Sequence, residues 1–206
     1  QRDRIREARR IANPGCFATA IQLALLPLAA AGLLQDDVHV TAVTGSTGAG
    51  VKPSATTHFS WRTANLSVYK AFTHQHLLEI GRNLRHLEPA FDREIHFVPM
   101  RGDFARGILA SVYTRCDLAE EEARRLYADY YAASPFTHAV AYDVDLKQVV
   151  NTNKALLHVA RHGGMLHIVS VIDNLLKGAS GQAVENMNLI FGLDEREGLR
   201  LKASAF

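Results

Sequence analysis

The residues best suited to chemistry lie near the start of the chain, in Ile11-Ala12-Asn13-Pro14-Gly15-Cys16-Phe17-Ala18-Thr19-Ala20. A turn through Asn-Pro-Gly hands Cys16 to the first turn of an apolar helix, where unpaired backbone N–H groups and the positive dipole end favour a thiolate. A thiolate attacks carbonyl carbon, and the backbone N–H groups around Asn13 to Cys16 are placed to serve a developing oxyanion. An inert buried cysteine is the other reading of an isolated Cys. A base would have to come from the ten histidines, and His74 and His76 stand out. With Thr73 as N-cap, His76 falls at the third helical position, where the dipole disfavours imidazolium and leaves a neutral base at pH 7. His76 is preferred to His74. A metal on His74-x-His76 has no Cys or carboxylate partners at ligand spacing, so none is expected.

Three further segments invite chemistry. Val38 to Thr44 enters the glycine-rich Gly45-Ser46-Thr47-Gly48-Ala49-Gly50. The residues that follow carry Pro53 and no apolar helical period. The loop therefore reads as an active-site wall, not as the opening of a dinucleotide fold, which needs a helix there. Arg106, ahead of a β-rich run, has the planar fork that grips a carboxylate or phosphate, and equally suits a strand end in solvent. Ser180 to Asn188 open the last helix, where capping and solvation or an anionic ligand would use the same residues.

These side chains need elements to position them. Residues 17 to 31 are apolar on nearly every face, which predicts a buried helix kinked at Pro27 and stopped at Gly32. Val38–Thr44, Ile95–Val98, Gly107–Arg115, His138–Val144 and Met165–Leu175 read as strands. Helices are expected from a Thr73 cap to before Pro89, from an Asp117/Glu120 capping box with a Glu121–Arg125 pair, and over Gln182–Phe191 from Ser180. The order lacks regular βαβ alternation. It predicts an α+β fold with a mixed, mostly antiparallel sheet flanked by helices.

Composition narrows the function. The 206 residues, 48% hydrophobic and 21% charged, describe a chain that buries an ordinary core. A net charge of +2 without a basic run interleaved with aromatics argues against nucleic acid as a partner. Arg2 to Arg10 reads as a solvated helix end. The apolar stretch 16–34, broken by Thr19, Gln22 and Pro27, reads as a core helix, so no membrane partner is expected. Two cysteines, Cys16 and Cys116, fit a reducing cytoplasm.

The run from Ile11 to Pro27 resembles the active-site signature of N-acetyl-γ-glutamyl-phosphate reductases. Gly45–Lys52, Thr73–Ile80, Phe97–Met100 with Arg106–Leu109, and Lys177–Ala183 with Asn186-Met187-Asn188 resemble that family's later motifs, in order. Val51, Gln75 and Leu78 depart from the usual Arg, Arg and Pro, and 101–105 looks like a short insertion. The resemblance implies the catalytic-domain fold of semialdehyde and glyceraldehyde-3-phosphate dehydrogenases. It also implies reduction of an acyl phosphate by NADPH through a thioester on Cys16, a step of arginine biosynthesis. His76 or His74 would act on protons, Asn13 and Arg106 would bind substrate, and Gly48, Gly50, Ser180, Gln182 and Asn186 would face the cofactor. A homo-oligomer, dimer or tetramer, is implied too. Residues 1–206 would be the catalytic and oligomerisation domain, with the helix at about 180–192 packing toward the cofactor. The chain opens on Gln1-Arg2-Asp3-Arg4, so a Rossmann domain is expected outside it, and these residues alone are not expected to turn over. A cysteine hydrolase or acyltransferase, or a domain serving assembly only, stay open at this point.

Overall fold

A computed structural model describes residues 1–204. A short helix α1 (Arg2–Arg6) precedes the long helix α2 (Cys16–Ala30). Strand β1 (Val38–Thr44), a 3-10 turn at Ser46–Ala49, the short helix α3 (Phe59–Arg62) and strand β2 (Ser67–Val68) follow. Helix α4 (His76–Leu87) leads to β3 (Ile95–Arg101) and β4 (Ile108–Arg115). The remainder is α5 (Glu120–Tyr131), β5 (Thr137–Val140), β6 (Ala155–His162), β7 (Met165–Ile172), a π-turn at Leu176–Ser180 and α6 (Gly181–Ile190).

The seven strands form one sheet in the order β2-β3-β1-β4-β7-β6-β5. β1 with β3 and β5 with β6 are parallel, and the remaining pairs are antiparallel. The α+β architecture and the mixed, mostly antiparallel sheet are as expected. Alternation along β1 explains how the sheet is used: Val38, Val40, Ala42 and Thr44 are buried, while His39, Thr41 and Val43 are half-buried. The first set packs beneath α2, α4 and α5 with Ile80, Leu84, Ala123, Tyr127, Ile108, Ala110 and Ile168. Burying each Leu, Ile or Phe of this layer contributes about 1.5–3 kcal/mol. The second set joins His96, Tyr113 and His167 on the opposite face, where rings of His39 and His96 stack at 4.9 Å and those of His39 and Tyr113 at 5.1 Å.

Several local expectations change. Thr73 does not cap α4: backbone bonds from Tyr69 and Phe72 to β3 hold 69–73 in a turn, and Thr73 N–H donates to Lys70. The helix starts at His76, so His76 is its first residue, not its third. Asp117 does not cap α5, since that helix starts at Glu120 and the Glu122 carboxylate accepts from Ala119 N–H at 3.0 Å. The expected Glu121–Arg125 pair gives way to Arg124, which bridges Glu120 at 2.7 Å and Glu121 at 3.6 Å. The strand expected over His138–Val144 stops at Val140, that over Met165–Leu175 stops at Ile172, and β2 and β6 were not foreseen.

Candidate active site

Cys16 is the first residue of α2, entered through an extended Gly15 with φ −67° and ψ 162°. The loop before it is clamped from two sides. From α4, both oxygens of the Glu79 carboxylate accept from Gly15 N–H at 3.2 Å. From α6, the buried Gln182 donates its amide to the Pro14 carbonyl and to Thr19 Oγ1, each at 3.1 Å. Asn186 donates to Asn13 Oδ1 at 2.6 Å. Gly15 N–H is therefore spent on Glu79 and is not an oxyanion donor, contrary to the expectation for this turn.

The expected thiolate is also corrected. Burial pushes the Cys16 thiol above its ordinary range, outweighing the downward pull of the Phe17 and Cys16 N–H groups, and the Glu79 charge adds to the rise. Desolvation beats the helix end here, so Cys16 rests as a thiol.

His76 lies directly over this turn. A Cβ placed on Gly15 would fall 2.1 Å from His76 Nε2, so only glycine lets the imidazole approach. Its Nδ1 accepts from Ala18 N–H at 3.3 Å, which leaves the ring proton of the neutral form on Nε2. That nitrogen is 3.9 Å from Glu79 Oε1. Burial lowers the His76 pKa, with Glu79 opposing and Lys70 assisting. His74 sits one step behind: its Nδ1 accepts from His76 N–H at 3.2 Å, and its ring packs edge-on against Phe17, Tyr69 and Phe97. Burial first, then His76 and Lys70, bring His74 down to about 4. Of the two histidines, His76 is the one that meets the Cys16 turn.

Residues 173–182 tie the other motifs to this centre. Asp173, with no exposed surface, accepts from the N–H groups of Leu175 at 2.8 Å, Leu176 at 2.9 Å and Asn151 at 2.7 Å. Arg106 donates from Nη2 to Asp173 at 3.2 Å and from Nη1 to Asn151 at 2.8 Å. Its Nε is 3.1 Å from Asp173 Oδ2, an ion pair without hydrogen-bond alignment. Asn174 accepts from Gly107 N–H at 2.7 Å and donates to Thr47 at 3.0 Å, fixing the glycine loop. Within that loop a Cβ on Gly48 would come 3.1 Å from Thr44 Oγ1, whereas Gly50 has φ 79° and open space around it. Gly178 N–H donates to the Asp173 carbonyl at 2.9 Å, and a Cβ on Gly178 would lie 2.9 Å from Cys16 Cβ. Ser180 donates to the Leu175 carbonyl at 2.7 Å.

The structure thus brings Cys16, His76, Asn13, Gln182 and Asn186 together. Arg106 and the glycine loop join through Asp173 and Asn174, and Ser180 caps its own turn. Glu79, Asp173, Asn174 and Gly178 were not foreseen, although Glu79 lies three residues after His76 and the other three stand in or beside the Lys177–Ala183 motif. An open cavity of about 830 Å³ beside the Cys16 turn is lined by Pro14, Gln182 and Asn186, with Arg10, Arg82 and Arg85. Among the described residues, no group of three or more His, Cys, Asp or Glu could hold a metal, and no helix is long and apolar enough to cross a membrane.

A half-buried cysteine at a helix start, faced by a histidine and carried over the interior strands of a mixed sheet, defines a cysteine-centred α+β domain. The profile of the semialdehyde dehydrogenase dimerisation domain matches residues 16–174, and the chain belongs to that family. It is 62% identical over 199 residues to the N-acetyl-gamma-glutamyl-phosphate reductase of Bacteroides fragilis, covering 97% of this chain and 62% of that protein. To the reductase of the same name from Bacteroides thetaiotaomicron it is 61% identical, with the same coverage. The chain thus spans about 62% of the length of these curated relatives. Among solved structures, aspartate semialdehyde dehydrogenase II from Vibrio cholerae superposes with a TM-score of 0.69 at 15% identity, covering 88% of this chain and 62% of the other. That similarity concerns the fold alone.

Proposed function

We propose that Cys16 is the nucleophile of a reductive dephosphorylation that converts N-acetyl-γ-glutamyl phosphate to N-acetyl-glutamate semialdehyde. The observation that carries this reading is the convergence of His76 and Glu79 on the Gly15–Cys16 turn, in a chain so close to reductases of that name. The Cys16 sulfur attacks the acyl carbon, the C–O bond to phosphate breaks, and hydrogen phosphate leaves with the thiol proton, giving a thioester. NADPH, held beside Gln182 and Asn186, would supply the hydride for reduction of that thioester. His76, neutral and carrying its proton on Nε2, donates to the carbonyl oxygen as it gains negative charge. Collapse then releases aldehyde and the Cys16 thiolate, which is reprotonated.

The residues fit a nicotinamide in their donor chemistry. Gln182 and Asn186 spend amide N–H groups on the Cys16 loop while their carbonyl oxygens take no bond from the described residues, leaving acceptors for a carboxamide. The arginines along the adjoining cavity suit cofactor phosphates. Gly48, Gly50 and Ser180 belong to the same cofactor-facing set, and Arg106 keeps further N–H groups for the substrate phosphate, with Asn13 beside the loop. The glycine loop at 45–50 does not run into a long helix, which supports a dinucleotide held mainly by a Rossmann domain outside residues 1–206. Residues 1–206 would form the catalytic and oligomerisation domain of a cytoplasmic homo-oligomer.

The test uses the full-length protein with N-acetyl-γ-glutamyl phosphate. Aldehyde should form only with NADPH, and Cys16→Ser should lose at least about 10³-fold in turnover while melting within a few degrees of wild type. Phosphate release to free acid without nicotinamide would overturn the reading in favour of a hydrolase.

A further inference from the structure

Asp173 is fully buried and does not line the cavity beside the Cys16 turn. Its carboxylate is saturated by three backbone N–H groups and the Arg106 guanidinium. So many donors on one carboxylate, drawn from β7's end, from Asn151 and from Arg106, exceed what closing a turn requires. Asn151 accepts the left-handed φ of 67° to join them. What the arrangement fixes is the 174–178 turn, whose Gly178 N–H returns to the Asp173 carbonyl. Gly178 in turn presses on Cys16, with a would-be Cβ 2.9 Å from Cys16 Cβ and 3.2 Å from its Cα. A chain of direct contacts therefore runs from the buried carboxylate to the backbone of the nucleophile.

We propose that Asp173 is a positioning residue: by locking the 174–178 turn it sets how closely Gly178 bears on Cys16, and thereby where the sulfur sits and how far it is shielded from water. This rests on the reading of Cys16 as the nucleophile. Displacing a reacting atom by about 1 Å costs on the order of 10²-fold in rate, so the turn need move only slightly to matter. Asp173→Asn keeps the shape and one acceptor oxygen but weakens the hold on Arg106 and the turn. Gly178→Ala attacks the same contact from its other end.

The test compares full-length wild type, Asp173→Asn, Gly178→Ala and the double variant in two ways. One is turnover per folded protein with a Cys16 titratable by iodoacetamide. The other is the pH profile of that alkylation in the native protein. Asp173→Asn should lose about 10–100-fold in turnover. Its alkylation midpoint should move down toward that of an ordinary thiol, because shielding is what raises it. The double variant should be no worse than the worse single one, since both break one linkage. A lowered melting temperature with unchanged turnover per titratable thiol and an unchanged alkylation midpoint would reduce Asp173 to a structural role and overturn the proposal. Additive losses would overturn it as well. If Asp173→Asn fails to fold, Gly178→Ala still decides: wild-type alkylation and turnover in that variant would end the argument. Alkylation needs no substrate. A wild type that makes no aldehyde would sink the reductase reading and leave this comparison intact.

Discussion

The two ends of α2 are built from the same apolar helix and treated in opposite ways. At the N-terminal end the first backbone donors serve functional groups: Gly15 N–H goes to Glu79, Ala18 N–H goes to His76, and the N–H groups of Cys16 and Phe17 pull the thiol pKa down. At the C-terminal end the loose acceptors from Leu23 to Ala29 are largely closed. Pro27 removes the donor for the Leu23 carbonyl, and Tyr131 Oη donates there instead at 2.6 Å, while Tyr127 Oη donates to the Ala24 carbonyl. Gly32 at φ 68° then completes a Schellman motif, with Leu33 N–H on Leu28 at 2.9 Å and Gly32 N–H on Ala29 at 3.2 Å. One end keeps its polar groups in contact with titratable side chains, and the other has them sealed by phenols and glycine. Substitutions at the first end should change reactivity, and those at the second should change stability alone.

Gly15→Ala should break the comparison hardest. The new Cβ would overlap the His76 ring, so imidazole or loop must shift. A fall of about 10²-fold in kcat is expected, with about 1–3 kcal/mol lost to overpacking. Steady-state kinetics with a urea melt would check both, and wild-type kcat would show that His76 is not needed where it lies.

The ends also differ in how readable they are. Pro27 and Gly32 announce the C-terminal geometry by local rules, yet the tyrosines that complete it come from a helix more than 100 residues away. At the other end the Asn-Pro-Gly-Cys turn marks the nucleophile, but the sequence reading makes Cys16 a thiolate because it sees the helix end and not the burial. The same blindness misplaced Thr73 as a cap, since the turn at 69–73 is held by a strand further along the chain. Strand β6 was missed because Leu156 and Leu157 are buried on opposite faces, which breaks the alternation. Asp173 and Glu79 look like ordinary surface carboxylates until their distant donors, Asn151, Arg106 and Gly15 at 22 to 67 positions away, are brought to them.

A milder change at the reactive end is electrostatic. Glu79 raises both the Cys16 and the His76 pKa by its charge. With burial holding His76 below and Cys16 above their ordinary values, the acid limb of turnover is expected below the ordinary imidazole range, and alkylation should still climb past the ordinary thiol midpoint. Glu79→Gln keeps an acceptor for Gly15 N–H but removes the charge, so both midpoints should move down and alkylation at pH 8 should quicken by roughly 2–10-fold. Unmoved pH profiles would mean that Glu79 acts on the turn by hydrogen bonding alone.

The smallest effect on activity is expected from Tyr131→Phe, which removes one hydroxyl from the sealed end. The ring remains to fill its place, so packing is kept, but the Leu23 carbonyl is left without its partner in a helix where the proline already denies it the usual donor. An unsatisfied buried acceptor costs about 1–3 kcal/mol, which should appear as a lower urea midpoint at unchanged slope. Turnover and the Cys16 alkylation profile should stay within about twofold of wild type, because the perturbed carbonyl is two helical turns from the nucleophile and shares no partner with the Gly15 clamp. A variant that lost stability and reactivity together would show that the strain at Pro27 is transmitted along α2, and that its two ends are not independent.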